Sequence, residues 1–176
     1  MVVRKDSKSI EVIRGNIVEQ FDIDAVVNAA NAQLRMGGGV AGAIHRAAGP
    51  ELAAECEPLS PINPGDAVIT AAYNLPNRYV IHCLGPVYGS DRPEDKLLAN
   101  CYRNALKLAD EKGIASVAFP SISTGVFGYP VEEASRVALT AILTTITGLK
   151  NVTLVRMVLF SPDDYELYTS TLNSLS

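Results

Sequence analysis

Short apolar runs rich in β-branched residues alternate with longer amphipathic stretches along most of this chain, and that alternation is the strongest limit on what it can fold into. The runs are Ile10 to Ile13, Ala25 to Asn28, Ala67 to Thr70, Tyr79 to Leu84, Ala115 to Phe119 and Val152 to Phe160. Most are strand-length and have the composition of buried strands. Between the later ones, a helix is predicted from about Asp95 to Lys112, with Leu98, Cys101, Tyr102 and Ala105 on one face and Gly113 as its stop. Asp91, Pro93 and Glu94 resemble a capping arrangement at its start. A second helix is expected from near Pro130 to Gly148, and a third over Asp163 to Leu172, where Ser161-Pro162 supplies a cap and a first-turn proline. Strands alternating with helices predict a layered α/β fold, its largely parallel sheet covered by helices on both faces.

Two glycine-rich segments interrupt this pattern, Gly37-Gly38-Gly39-Val40-Ala41-Gly42 and Ser123-Thr124-Gly125-Val126-Phe127-Gly128-Tyr129-Pro130. Each follows a predicted strand or a short linker from one, and helix-like sequence follows each. That places both at the carboxyl ends of strands, the ligand-binding edge of an open α/β sheet. Backbone poor in side chains lets amide N–H groups close on phosphate oxygens, with the positive end of a helix dipole behind them. A pair of such loops points to a diphosphate held from two sides.

Composition narrows the partners. With 176 residues, 48% of them hydrophobic, the chain is expected to be a single domain, residues 1–176, with a full core. A net charge of -4 argues against a broad nucleic-acid groove, which needs clustered Lys and Arg. Cys56, Cys83 and Cys101 are odd in number and lack C-x-x-C spacing, so buried thiols in a reducing compartment are expected. No apolar run approaches the ~20 residues of a membrane span, and a cytoplasmic monomer is the expectation. The stretch from Pro58 to Gly65, with three prolines, reads as a surface connection and not as a domain linker.

Several familiar chemistries lack their parts. The first glycine run satisfies G-x-G-x-x-G, but Ala29 to Met36 separate it from its strand, and about twenty residues beyond it lies the proline-rich connection rather than a second strand with an acidic end. No G-x-x-x-x-G-K-[ST] occurs, and the two histidines, His45 and His82, have no H-E-x-x-H setting. His82, inside a predicted strand, reads as a structural residue. Asn28 and Asn31 flank two alanines at a strand end, where an amide is costly unless its donors and acceptors are used. Asn28 is divided between turn formation and ligand binding, while Asn31, between strand and loop, is expected to meet a ligand hydroxyl.

Three segments in order carry a specific resemblance: Asp24-Ala-Val-Val-Asn-Ala-Ala-Asn31, then Gly-Gly-Gly-Val-Ala-Gly-Ala-Ile-His-Arg-Ala-Ala-Gly-Pro, then Ser-Ile-Ser-Thr-Gly-Val-Phe-Gly-Tyr-Pro. They resemble the macrodomain family, closest to its MacroD type, and with Gly65 to Thr70 and Tyr79 to Pro86 the similarity runs from about Ile10 to Tyr168. The resemblance implies a three-layer α/β/α sandwich around a mixed, mostly parallel six-stranded sheet. It also implies a cleft for ADP-ribose and hydrolysis of ADP-ribose esters, with no cofactor and no metal. The distal ribose would lie beside Asn31, Gly37, Gly38 and Gly39, shielded by Phe127. The diphosphate would lie between the first loop, including Val40 and Ala41, and Ser123, Thr124, Gly125, Val126 and Phe127. Adenine would meet Asn16, Ile17 and Phe160, with Asn28 also among the ligand-binding positions.

Two departures from the family pattern bear on chemistry. Asn16 stands where most members carry an aspartate that accepts a bond from the adenine amino group, and its carbonyl is expected to accept instead. Ala41 replaces a loop aspartate of MacroD-type enzymes. What remains is a substrate-assisted attack of water on an ADP-ribose ester, of a protein Asp or Glu or of O-acetyl-ADP-ribose. Asn31 and Gly38 would position the substrate, and His45 is a candidate base or orienting group. The alternatives are a non-catalytic reader of ADP-ribose, or a binder of another phosphorylated nucleotide such as an RNA end.

Overall fold

A computed structural model describes all of residues 1–176. Its strands are β1 (Val2–Lys5), β2 (Lys8–Arg14), β3 (Ala25–Ala29), β4 (Ala67–Ala71), β5 (Tyr79–Cys83), β6 (Ser116–Phe119) and β7 (Leu154–Leu159). The helices are α1 (Gly39–Ala48), α2 (Pro50–Cys56), α3 (Glu94–Glu111), α4 (Val131–Ile146) and α5 (Pro162–Leu175). All strands join one sheet in the order β1-β2-β7-β6-β3-β5-β4. The five central strands run parallel, and β1 and β4 are antiparallel edges.

The sheet has seven strands rather than the expected six. The addition is β1, a hairpin partner of β2 with Lys5 opposite Lys8. Its Val-Val-Arg-Lys sequence is mostly exposed, so it carries no apolar run to announce it. The short helix α2 was equally hidden. Gly49, at φ 92°, breaks the backbone after α1, and Pro50 restarts it in a seven-residue turn of helix.

Helices cover both faces. Helices α1 and α2 pack with Val26, Ile44, Leu52, Val80 and Val158 on one side, and α3, α4 and α5 bury Leu98, Tyr102, Phe119, Leu139, Ile142 and Tyr168 on the other. Covered twice, the central β3 must be apolar at successive positions, and it buries Ala25, Val26 and Val27 completely. Helix α3 ends where expected, with Gly113 at φ 71°. Its start differs: Pro93 holds the cap position without a side-chain bond. Asp91 instead accepts from the Val87 N–H at 2.8 Å and Glu94 from the Gly89 N–H at 3.2 Å, so both carboxylates close the preceding turn. Ser161 does cap α5, accepting from the Asp164 N–H at 3.1 Å.

Parallel pairing sends the loops after β2, β7, β6, β3 and β5 to one edge, in that lateral order. The chain turn at Asn16, then Phe160, then the second glycine loop, then the first, then Gly85 therefore stand side by side, about 5 Å apart per strand step. Gly85 permits the tightest approach, because a Cβ there would overlap the Ser123 and Ile122 side chains. Gly85→Ala is expected to cost about 1–3 kcal/mol of stability by forced overpacking, read as a fall in the urea midpoint at unchanged m-value. An unchanged midpoint would mean that the second loop shifts without cost.

Candidate functional site

The two glycine loops face one hollow of about 340 Å³. Gly38, Gly39 and Val40 form one wall, Ser121, Ile122, Ser123, Gly125, Val126 and Phe127 the other, and Ala29, Ala30 and Gly85 also line it. None of these side chains is ionisable.

The second loop leaves its amides without partners. Its carbonyls are spent on holding its shape: Ser123 O accepts from Tyr129 N at 2.9 Å, Gly125 O from Gly128 N at 3.0 Å, and Phe127 O from Tyr88 N at 2.9 Å. The N–H groups of Thr124, Gly125, Val126 and Phe127 make no hydrogen bond within the protein. Ser123 is held at φ 68°, a region a non-glycine residue enters only under constraint, and its buried Oγ has no partner. Consecutive free amides around a concave turn form an anion-binding nest.

Across the hollow, Gly38 caps α1, and the first-turn N–H groups of Gly39, Val40 and Ala41 are left without acceptors. The glycines divide by purpose. Gly42 is required by packing, because a Cβ there would overlap the Gly37 carbonyl. At Gly38 and Gly125 a Cβ would meet nothing within 4 Å, so the fold leaves open space there. Asn31 sits against this loop, its Nδ2 3.3 Å from where a Gly37 Cβ would be. Its amide donates to Arg35 O at 2.8 Å and accepts from Arg35 N at 3.0 Å, leaving one amide hydrogen free.

At the far end of the edge, Phe160 is 81% exposed beside the Asn16 turn, to which the Gly15 N–H to Leu159 O bond (2.9 Å) ties its strand. A phenylalanine so exposed at the end of a buried strand has an unused ring face.

The macro domain family profile matches residues 27–138. The chain belongs to the macro domain family. Among its relatives, a macro domain-containing protein of Caldanaerobacter subterraneus is 49% identical over 173 residues, 96% of this chain and 98% of that one. A Pantoea vagans protein named O-acetyl-ADP-ribose deacetylase 1 is 46% identical over 171 residues, 94% of this chain and 99% of that one. The Oceanobacillus iheyensis macrodomain, solved with ADP, superimposes with a TM-score of 0.95 at 42% identity, covering 99% of this chain and 95% of that one. A Trypanosoma brucei macrodomain in complex with ADP-ribose gives 0.85 at 39% identity, over 92% and 68% of the two chains.

Not every residue singled out in this macrodomain's sequence reaches the hollow. His45 lies on the inward side of α1, 2% exposed, with Nε2 unpartnered and its pKa lowered by burial. It is not among the residues that line the hollow. Asn28 is not in a turn: it is 1% exposed within β3, and its Nδ2 faces His82 Nδ1 at 3.1 Å. Ala41 is buried at 5%, so its methyl group faces inward while its N–H stays at the helix start. Cys56, Cys83 and Cys101 are buried free thiols, as expected, and burial raises all three pKa values, that of Cys56 to about 11. No helix is long and apolar enough to cross a membrane.

Sequence reasoning missed the support behind Asn16. Arg156, in the buried strand β7, donates to Glu11 at 2.7 Å, to both Asp22 carboxylate oxygens at 2.8 Å and to Gln20 Oε1 at 3.0 Å. Gln20 Nε2 in turn donates to the Asn16 carbonyl at 2.8 Å. The guanidinium pulls the Asp22 pKa down and fixes the whole turn to the sheet. The signal was available: an arginine inside Leu154-Val-Arg-Met-Val-Leu159 has to be paired to be buried.

Proposed function

We propose that this macrodomain binds ADP-ribose and hydrolyses ADP-ribose esters, acting as one domain and as a monomer. The observation that carries the reading is a hollow walled on two sides by partnerless main-chain N–H groups and by no ionisable side chain. Such walls suit a diphosphate, whose negative charge needs donors and is repelled by carboxylates. The base then extends along the strand ends toward Phe160, and the distal ribose toward Gly38 and Asn31, whose remaining amide hydrogen is available to a hydroxyl. Phe127, half-buried on the wall, covers that ribose.

With no acid or base on the walls, the proton has to be managed by the substrate. Water attacks the ester carbonyl, oriented by a diphosphate oxygen that takes its proton. The acyl carbon to ribose oxygen bond breaks, the ribose oxygen regains a proton, and the acid leaves as a carboxylate. The protein contributes position and fixed dipoles, each capable of lowering a barrier by several kcal/mol. The name of the Pantoea vagans relative agrees with an O-acetyl ester as substrate. The same absence of ionisable groups also favours a second reading, a module that binds ADP-ribose and leaves it unchanged.

Incubation with O-acetyl-ADP-ribose and with glutamate-linked ADP-ribose, beside titration with ADP-ribose and AMP, separates these. The expected result is ester cleavage by the wild type, slowed about tenfold or more in Asn31→Ala, and ADP-ribose bound more tightly than AMP. Binding without cleavage establishes the reader. Equal affinity for AMP removes the distal-ribose subsite.

A further inference from the structure

We propose that Tyr102 and Tyr168, neither of which lines the hollow, are positioning residues that hold the second glycine loop in its ligand-binding shape. This rests on the diphosphate lying against that loop, as proposed above.

The far part of the loop has little packing to keep its form. A Cβ at Gly125 would meet nothing within 4 Å, and Val126 is fully exposed. Ser123 sits at φ 68°, and an unfavourable backbone angle persists only where its surroundings over-determine it. The loop's own backbone bonds close it beyond Ser123. Its stem, Pro120 to Ile122, is fastened instead by side chains from two helices.

From α3, the Tyr102 hydroxyl accepts from the Ile122 N–H at 3.2 Å and donates to the Pro120 carbonyl at 3.4 Å. From α5, the Tyr168 hydroxyl pairs with Ser121 Oγ at 2.6 Å. Thr124 Oγ1 in turn reaches Ser121 Oγ at 2.9 Å and the Ser121 carbonyl at 3.0 Å. A chain of hydroxyls thus runs from α5 to Thr124, the residue that carries the first partnerless amide of the loop. Ser121 and Ile122 themselves line the hollow, so the fastened stem is part of its wall. Both tyrosines are fully buried, where water does not replace a lost bond. Without the fastening the loop samples other shapes, and apparent affinity falls with the fraction of molecules that keep the binding one.

The experiment uses Tyr102→Phe and Tyr168→Phe, which remove one hydroxyl each and keep the ring. Ser135→Ala is the control. It breaks the buried pair between Ser135 Oγ and Thr171 Oγ1 (2.8 Å), which joins α4 to α5 outside the loop. The wild type and each variant are titrated with ADP-ribose, melted, and recorded by amide NMR. Each tyrosine variant is expected to raise the Kd about threefold to tenfold and to shift or broaden the amide signals of Thr124 to Phe127. Ser135→Ala should lower the melting temperature and leave the Kd and those signals unchanged. A Kd or loop signals unmoved in both tyrosine variants overturns the inference and leaves wild-type binding of ADP-ribose intact. An equal loss of affinity in Ser135→Ala also overturns it, because binding then follows stability alone. Failure of the wild type to bind ADP-ribose overturns the reading beneath it as well.

Discussion

Gly38→Val should lose about 100-fold or more of ADP-ribose affinity while the protein stays folded. At Gly38 the backbone has φ −84° and ψ −178°, an extended conformation open to any residue and favourable to a β-branched one. A Cβ there has no neighbour within 4 Å, so the native packing does not resist it. The cost to the fold is confined to the helix cap, where valine is poorer than glycine by roughly 1 kcal/mol. The side chain instead enters the hollow between the loops and displaces the ligand from the first-turn amides. Losing the hydrogen bonds of one wall, each charge-assisted and worth about 1.5–3 kcal/mol, accounts for the expected factor. Titration beside thermal unfolding checks it. Undiminished binding at an unchanged melting temperature would place the diphosphate elsewhere.

Acid should destabilise this protein through His82 well above the range where carboxylates titrate. The ring is fully buried. Nδ1 faces the Asn28 amide nitrogen at 3.1 Å, and Nε2 faces the Thr70 hydroxyl at 3.0 Å. Thr70 donates its own proton to Ala71 O, so its oxygen accepts from Nε2–H, and Nδ1 is the acceptor for Asn28. A second ring proton would be set against the Asn28 N–H. Burial, with repulsion from His45 beside it, pulls the His82 pKa down to about 3.

The native ring is therefore neutral where the unfolded ring, with a pKa near 6.5, already binds a proton. Stability is complete above about pH 6.5 and is lost as pH falls toward about 3, by up to about 1.4 kcal/mol per pH unit. His45, whose pKa burial also lowers, adds to the slope with the same sign. Urea unfolding at pH 7.5, 6 and 4.5 measures the slope, and His82→Gln should flatten it while costing about 1–3 kcal/mol at pH 7.5 for broken buried bonds. An equal slope in the variant assigns the acid sensitivity to other groups.

Much of this protein was legible before any coordinate. Val26 and Val27 side by side announced a strand covered on both faces, because neighbouring β-branched residues both stay dry only between two helix layers. Ser161-Pro162 announced the start of α5, because a cap is a local bond between residues three apart. The glycine segments announced loops at strand ends by the same local logic. What failed was of another kind. The first strand is exposed and charged, so it has no periodicity to read, and it exists because β2 offers it a free edge. That His45 turns inward on α1, away from the lining of the hollow, had no local signal, because its direction depends on which face of that helix meets the sheet.

The sequence by itself determined the order of β2 to β7 and of the three later helices, the two bends of bare backbone and the residue types at their ends, since each rests on spacing within a few positions. Only the tertiary structure decided that β7 lies between β2 and β6, which puts Phe160 beside Asn16, and that β6 lies beside β3, which brings the two bends to opposite walls of one hollow. It also decided that the Asn16 turn is fixed to the sheet, through Gln20 and an arginine from another strand. Lateral strand order and side-chain direction are set by burial between residues far apart in the chain, and spacing along one stretch of sequence carries no record of them.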